Sequence, residues 1–247
     1  GDGTVKAFVY GSGHRCILPT EEVRSQLEVL QEFQAYTNAL IAARRSAPEE
    51  DMITFLTTVE YSPLNRKLTD AEINGIVYAM VIGGLETTQY ALAEQAQLVI
   101  ENHAVWQALK EDKRKVRAFT EEGMRLRAPT QGLSTRTTSQ EEVFQGVAVP
   151  KGSFLHMRWA AANIDPLEWD DPTELKLDRK AGTRHLTFSQ GARVCPGASL
   201  SRLEQVEAWN ALIDRIDHFE YAQDNTFTHQ PGIMLGITKL NLAFKKQ

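Results

Sequence analysis

Phe188-Ser-Gln-Gly191-Ala-Arg193-Val-Cys195-Pro196-Gly197 is the stretch from which the rest of the chain is read. It is a glycine-containing loop that delivers one cysteine to the start of a helix. Pro196 suits a first helical position, because its missing N–H costs nothing there. That places Cys195 at the N-cap, where free backbone N–H groups and the positive end of the helix dipole favour a thiolate. Arg193 adds positive charge suited to a carboxylate, and Phe188 can pack beneath a flat apolar ring. A lone cysteine in a turn is most often an inert buried thiol. The ordered set of Phe, Gly, Arg, Cys and Gly outweighs that reading.

The chain of 247 residues is long enough for a sizeable core, and its 42% hydrophobic content is that of a globular protein. A net charge of −5 argues against nucleic-acid binding, which needs clustered Lys and Arg. The basic run Lys110–Arg117 is diluted by acids and reads as a solvated helix face, with a docking patch for an acidic partner as the lesser alternative. Two cysteines, Cys16 and Cys195, make no disulfide framework. The opening residues lack the layout of a secretory signal, and the longest apolar run, Ile76 to Leu85, is broken by Gly83-Gly84 and too short to cross a bilayer. The expectation is a cytoplasmic protein that spans no membrane. The histidines at 14, 103, 156, 218 and 229 show no metal-ligand spacing.

Apolar periodicity predicts helices over 21–45, 51–59, 69–99, 113–127 and 196–216. Thr69-Asp-Ala-Glu72 is a capping box for the third. Its middle is apolar nearly all round and should be buried on several sides. The last helix should bury Leu200, Leu203, Val206, Leu212 and Ile213. Short β-like runs over 135–149 and a closing strand over 238–244 complete a mainly α fold with small β-sheets.

Two further elements carry chemistry. In Gly83-Gly84-Leu85-Glu86-Thr87-Thr88, two helix-interior glycines cost about 1 kcal/mol each relative to alanine. They call for a reason, such as close approach of a flat ligand or a local opening of the helical ladder. An acid beside a hydroxyl then offers a proton relay. In Glu122-Gly-Met-Arg125, Glu and Arg stand three apart on one helix face and can pair.

The three elements together resemble the cytochrome P450 family, whose F-x-x-G-x-R-x-C-x-G signature is matched at every defining position. The resemblance implies Cys195 as the thiolate ligand of a haem b iron (iron protoporphyrin IX), with Phe188 and Gly197 beside it. It implies Arg193 on a propionate, Arg136 on a second, and His185 as a less secure third contact. Thr87 and Glu86 would manage protons in oxygen activation, and Thr88 would be structural. Glu122 and Arg125, completed by Arg179, would brace the cysteine loop. Substrate contacts would come from Ile82, Gly83, Gln131, Leu133, Ser134 and Met234. The implied activity is a monooxygenase acting on an apolar small molecule. Its electrons would come from a separate ferredoxin-type donor, since no flavin or iron–sulfur motif is present, and the intact acid–alcohol pair argues against a peroxide-driven variant. The alternative is a non-catalytic relative that scaffolds a partner.

The match runs from about Pro19 to the C-terminus as a single partial domain over 1–247, and lacks most of the family's N-terminal portion. The expectation is therefore a fragment of a longer protein. A split protein whose other half is a separate chain, and a natural truncation, stand as alternatives. In any of these cases the helix from Ile73 to Val99 should show an exposed apolar patch.

Overall fold

Thr69 opens the longest helix with the expected reciprocal bonds. Its amide donates to Glu72 Oε2 (2.8 Å), and the Glu72 amide donates to Thr69 Oγ1 (3.3 Å). Arg66 grips the same carboxylate through both Nη atoms at 2.9 Å, and these bonds lower the Glu72 pKa to about 2. The helix, Asp70–Glu101, runs unbroken through Gly83 and Gly84. No opening of the ladder is present, and a Cβ at either glycine would meet no atom within 4 Å.

The computed structural model describes residues 20–63, 65–132, 135–179, 184–226, 228–229 and 234–247. The elements are α1 (Thr20–Ser46), α2 (Met52–Thr58), β1 (Glu60–Tyr61), β2 (Arg66–Lys67), α3 (Asp70–Glu101), α4 (His103–Glu111) and α5 (Val116–Leu126). They continue with β3 (Thr135–Thr137), β4 (Glu142–Phe144), β5 (Val147–Val149), β6 (Phe154–His156), α6 (Trp159–Ala162), α7 (Ala198–Arg215), β7 (Ile216–Tyr221) and β8 (Leu242–Lys246). Periodicity misses α4 and α6, which are too short to carry a clear pattern. The strands form antiparallel pairs: β1–β2, β3–β6, β4–β5 and β7–β8. The closing strand lies a few residues later than expected, because β7 follows directly on α7 and pairs Tyr221 with Leu242 and Phe219 with Phe244.

A single domain is the sequence expectation; the contacts divide the chain into two compact units at Gly84–Leu85, within α3. In the first unit Ile41, Leu56 and Ile73 are buried together. In the second, the core joins α3, α4, α5 and α7 through Ala96, Val99, Trp106, Leu109, Phe119, Trp209 and Ile213. Its aromatic rings meet edge to face: Phe119 lies 5.0 Å from Trp209, and Phe219 5.2 Å from Trp106. Such contacts add roughly 0.5–1.5 kcal/mol each beyond burial of their area.

Two burial expectations are corrected. The inner stripe of α7 is Gln205, Trp209 and Ile213, whereas Leu200 and Leu203 are 54% and 57% exposed. Gln205 can lie inside because its amide is hydrogen-bonded at both ends. The middle of α3 is likewise not covered all round: Met80, Val81 and Leu85 are exposed, which is the anticipated apolar patch. The basic run is largely paired: Lys110 with Asp217 at 3.0 Å, Lys113 with Asp214, and Arg114 with Asp112 at 2.8 Å. This favours the solvated-face reading.

Candidate functional site

The cysteine loop is shaped by backbone geometry. Gly191 adopts φ +73°, a conformation glycine takes without strain, and the short 3₁₀ turn Gly191–Arg193 follows. The Cys195 amide donates to the Phe188 carbonyl at 2.9 Å, closing the loop. Helix α7 begins at Ala198 with Gly197 as its N-cap, so Cys195 is not the cap. Instead Cys195-Pro196-Gly197 forms a preceding turn, in which the Ala198 amide donates to the Cys195 carbonyl (3.3 Å). The dipole of α7 acts on the sulfur from two residues further away, with the same sign. Cys195 is half-buried and in no disulfide. Gly197 leaves room beside it, since a Cβ there would lie 3.9 Å from Sγ. Arg193 is exposed, and no carboxylate among the described residues pairs with it. Phe188 is half-buried, with the Arg202 guanidinium 4.5 Å from its ring centre.

Glu122, Arg125 and Arg179 come together. Arg125 grips Glu122 through Nε at 2.7 Å and Nη2 at 2.9 Å, and Arg179 Nε reaches Oε1 at 3.1 Å. Arg125 also donates to the carbonyls of Asn163, Pro172 and Glu174, and both guanidiniums lie over the Trp169 ring, at 5.0 and 5.8 Å. Helix α5 is thereby tied to the segment that leads into the cysteine loop.

His185 takes a role other than the propionate contact expected of it. It is buried, with Nε2 2.9 Å from Glu121 Oε2 and Nδ1 accepting from the Thr187 amide at 3.3 Å. Both ring nitrogens are thus engaged inside the protein. Glu121 is held from the other side by Arg202 Nε at 2.6 Å. Burial raises the Glu121 pKa, but the bonds from His185 and Arg202 outweigh it and leave the carboxyl below its ordinary range. Glu121 and Arg202 carry no distinguishing pattern in sequence, because an acid beside the paired Glu122 looks like one more surface charge.

A buried amide network joins α3 to α5 and α7. Gln95 Nε2 donates to Gln205 Oε1 (2.6 Å) and to the Thr120 carbonyl (3.3 Å), and its Oε1 accepts from Trp209 Nε1 (2.7 Å). Gly123, inside the Glu122–Arg125 motif, is where Gln95 crosses α5; a Cβ there would lie 2.5 Å from Gln95 Cγ. Two turns of α3 further back, Thr88 Oγ1 is 3.1 Å from Ser201 Oγ on α7. Thr88 is therefore structural, and its contact ties the Glu86-Thr87 segment to the helix that follows Cys195. Glu86 and Thr87 themselves are half-buried.

The remaining expected contacts are dispersed. Arg136 stands exposed on β3 opposite Leu155 of β6. Gln131 is half-buried and bonds back to the Ala128 carbonyl at 2.6 Å. Met234 is buried and bridged to Thr130. Ile82 is buried and Gly83 faces open space. Leu133, Ser134 and Cys16 lie outside the described residues. No group of three or more His, Cys, Asp or Glu among the described residues could hold a metal ion. Iron in a porphyrin would not need such a group, because a single cysteine thiolate from the protein would suffice to hold it. The half-buried Cys195 fits that requirement, and the exposed Arg193, without a carboxylate partner among the described residues, suits a propionate.

A family model for cytochrome P450 matches residues 14–244, and the chain belongs to that family. Among curated relatives, it is 29% identical over 221 residues to the polyketide biosynthesis cytochrome P450 PksS of Bacillus subtilis, covering 89% of this chain and 54% of the relative. It is 32% identical over 215 residues to the erythromycin C-12 hydroxylase of Saccharopolyspora erythraea, covering 86% of this chain and 53% of that one. The chain thus spans about half the length of the curated relatives it matches. Among solved structures, CYP109E1 from Bacillus megaterium, in complex with corticosterone, superposes with a TM-score of 0.86 at 25% identity, over 96% of this chain and 62% of that one. No described helix is long and apolar enough to cross a membrane.

Proposed function

We propose that the protein is a haem-thiolate monooxygenase, or the haem-binding part of one, acting on an apolar small molecule. The observation that carries this reading is the Cys195 thiol, in no disulfide, presented on a closed loop ahead of α7 and beside the unpaired Arg193. Cys195 would ligate the iron of haem b, and Arg193 and Arg136 would take the propionates. When bound, the haem supplies activation of dioxygen, with the thiolate favouring O–O cleavage. The chain's own part is to hold and move protons. Thr87 offers a hydroxyl on α3, Glu86 stands beside it as the proton source, and the Thr88–Ser201 contact fixes their segment against α7. Glu122, Arg125 and Arg179 hold the approach to the cysteine loop without touching the chemistry.

Relatives named for polyketide and erythromycin metabolism, and a neighbour holding corticosterone, support a large, mainly apolar substrate. Electrons would come from a ferredoxin-type protein. A partnering role rests on a separate observation: Leu85, Leu200 and Leu203 are all more than half exposed. The rest of a full-length family member, in the same chain or as a separate one, would cover them.

The test is the absorption spectrum of the reduced, carbon monoxide-bound protein. A thiolate-ligated haem gives a red-shifted Soret band, which Cys195→Ala should abolish. A colourless preparation of the full natural protein would favour the non-catalytic, partner-binding reading. An unchanged band in the variant would remove Cys195 as ligand.

A further inference from the structure

Thr87, Tyr90 and Glu94 stand at i, i+3 and i+7 on α3, so they share one face of the helix. The C-terminal segment lies along that face. His229 Nε2 is 2.9 Å from Glu94 Oε1, and His229 is bridged antiparallel to Ile237. Gly236 sits on the Tyr90 ring so closely that a Cβ would lie 2.6 Å from it. Passing back from Ile237 to Gly236, the chain therefore moves from the level of Glu94 to that of Tyr90, toward Thr87. On its other side the Leu235 amide donates to the Pro129 carbonyl at 2.8 Å, and Met234 is bridged to Thr130. Met234, two residues before Gly236, is about 7 Å further along an extended chain, roughly one helical turn.

Glu94 is fully buried, and its Oε2 has no hydrogen-bond partner among the described residues. Burial drives its pKa up, and the bond from His229 with the charges of His229 and Arg127 offsets this only in part. A carboxyl so placed costs stability, and among the described residues its side chain is hydrogen-bonded to His229 alone. We propose that Glu94 and His229 form a positioning pair that pins residues 234–237 along the Thr87 face of α3, holding Met234 as a preorganised apolar wall of the substrate space. This rests on the haem-thiolate reading for its consequence in binding, though not for the pinning itself.

The experiment uses the full-length, haem-loaded protein and two probes, imidazole and 4-phenylimidazole, with amide hydrogen exchange measured alongside. In His229→Ala, exchange at Leu235–Ile237 should accelerate about tenfold or more as the pin is lost. The 4-phenylimidazole Kd should weaken about tenfold while that of imidazole stays within about twofold, because only the larger probe reaches the wall. His229→Gln, which keeps an N–H donor, should restore much of both. Unchanged exchange together with an unchanged ratio of the two Kd values would overturn the proposal, and so would equal weakening of both probes. If neither azole perturbs the spectrum of the unmutated protein, the haem reading fails and the wall with it, while the exchange rates still decide whether the pair pins the loop.

Discussion

Arg125→Ala is the substitution for which the structure gives the firmest magnitude. The side chain is fully buried and donates to five acceptors: both Glu122 oxygens and the carbonyls of Asn163, Pro172 and Glu174. Its loss leaves the Glu122 carboxylate with Arg179 Nε at 3.1 Å and the Lys176 amide at 3.2 Å, and leaves three carbonyls without this donor. Removing one partner of a buried pair costs about 3–5 kcal/mol, and the carbonyls of Asn163 and Pro172, which lose this donor while that of Glu174 keeps Arg179 Nη2 at 3.0 Å, place the variant toward the upper end. With a urea slope of about 2.5 kcal/mol per M, the unfolding midpoint should fall by about 1–2 M. Arg125→Lys restores the charge but cannot span a carboxylate and three carbonyls with one ammonium, so it should recover less than half of the loss. Far-UV circular dichroism reads the global change, and fluorescence of Trp169, which lies under both guanidiniums, reads the local one. A midpoint within about 0.3 M of the unmutated protein at equal slope would show that water or Arg179 satisfies Glu122, and would refute the brace as a source of stability.

Two further predictions concern Gly123 and Glu121, neighbours of Arg125 on α5. Gly123→Ala drives a methyl group into Gln95 Cγ, which cannot swing away while its amide is fixed by Gln205, Thr120 and Trp209; it should cost about 1–3 kcal/mol by thermal or urea unfolding, and less than additively with Gln95→Ala. Because the Glu121 pKa is lowered in the folded state, its stabilising contribution is complete above the ordinary glutamate pKa and is lost as pH falls through the depressed folded value; Glu121→Gln should flatten the acid limb of a stability–pH curve, and an unaltered limb would count against the His185–Glu121–Arg202 arrangement.

The family and the outline of the fold were legible because they rest on local patterns. The spacing of Phe188, Gly191, Arg193, Cys195 and Gly197, the glycine pair before Glu86-Thr87, and the Glu122–Arg125 spacing all lie within single short segments. Helices α1, α3 and α5 are long or sharply capped, so their periodicity stands out, and Arg179 was found as the partner of Glu122 by resemblance alone. The cap of α7 was misplaced by two residues because Pro196 is equally at home in the turn that precedes a helix.

What the sequence could not yield is which polar side chains meet across the fold. Gln95 and Gln205 are 110 positions apart, Glu94 and His229 are 135 apart, and neither pair has a motif. An apolar stripe announces its face through its period, whereas a buried amide or carboxyl is indistinguishable from a surface one until the element that satisfies it is in place. For the same reason the apolar pattern points Leu200 and Leu203 inward, whereas packing leaves them exposed and buries Gln205 instead. Local chemistry therefore settled the lineage and the thiolate candidate. The buried hydrogen bonds that hold α3, α5 and α7 around that candidate, and that took His185 into the scaffold, exist only in three dimensions.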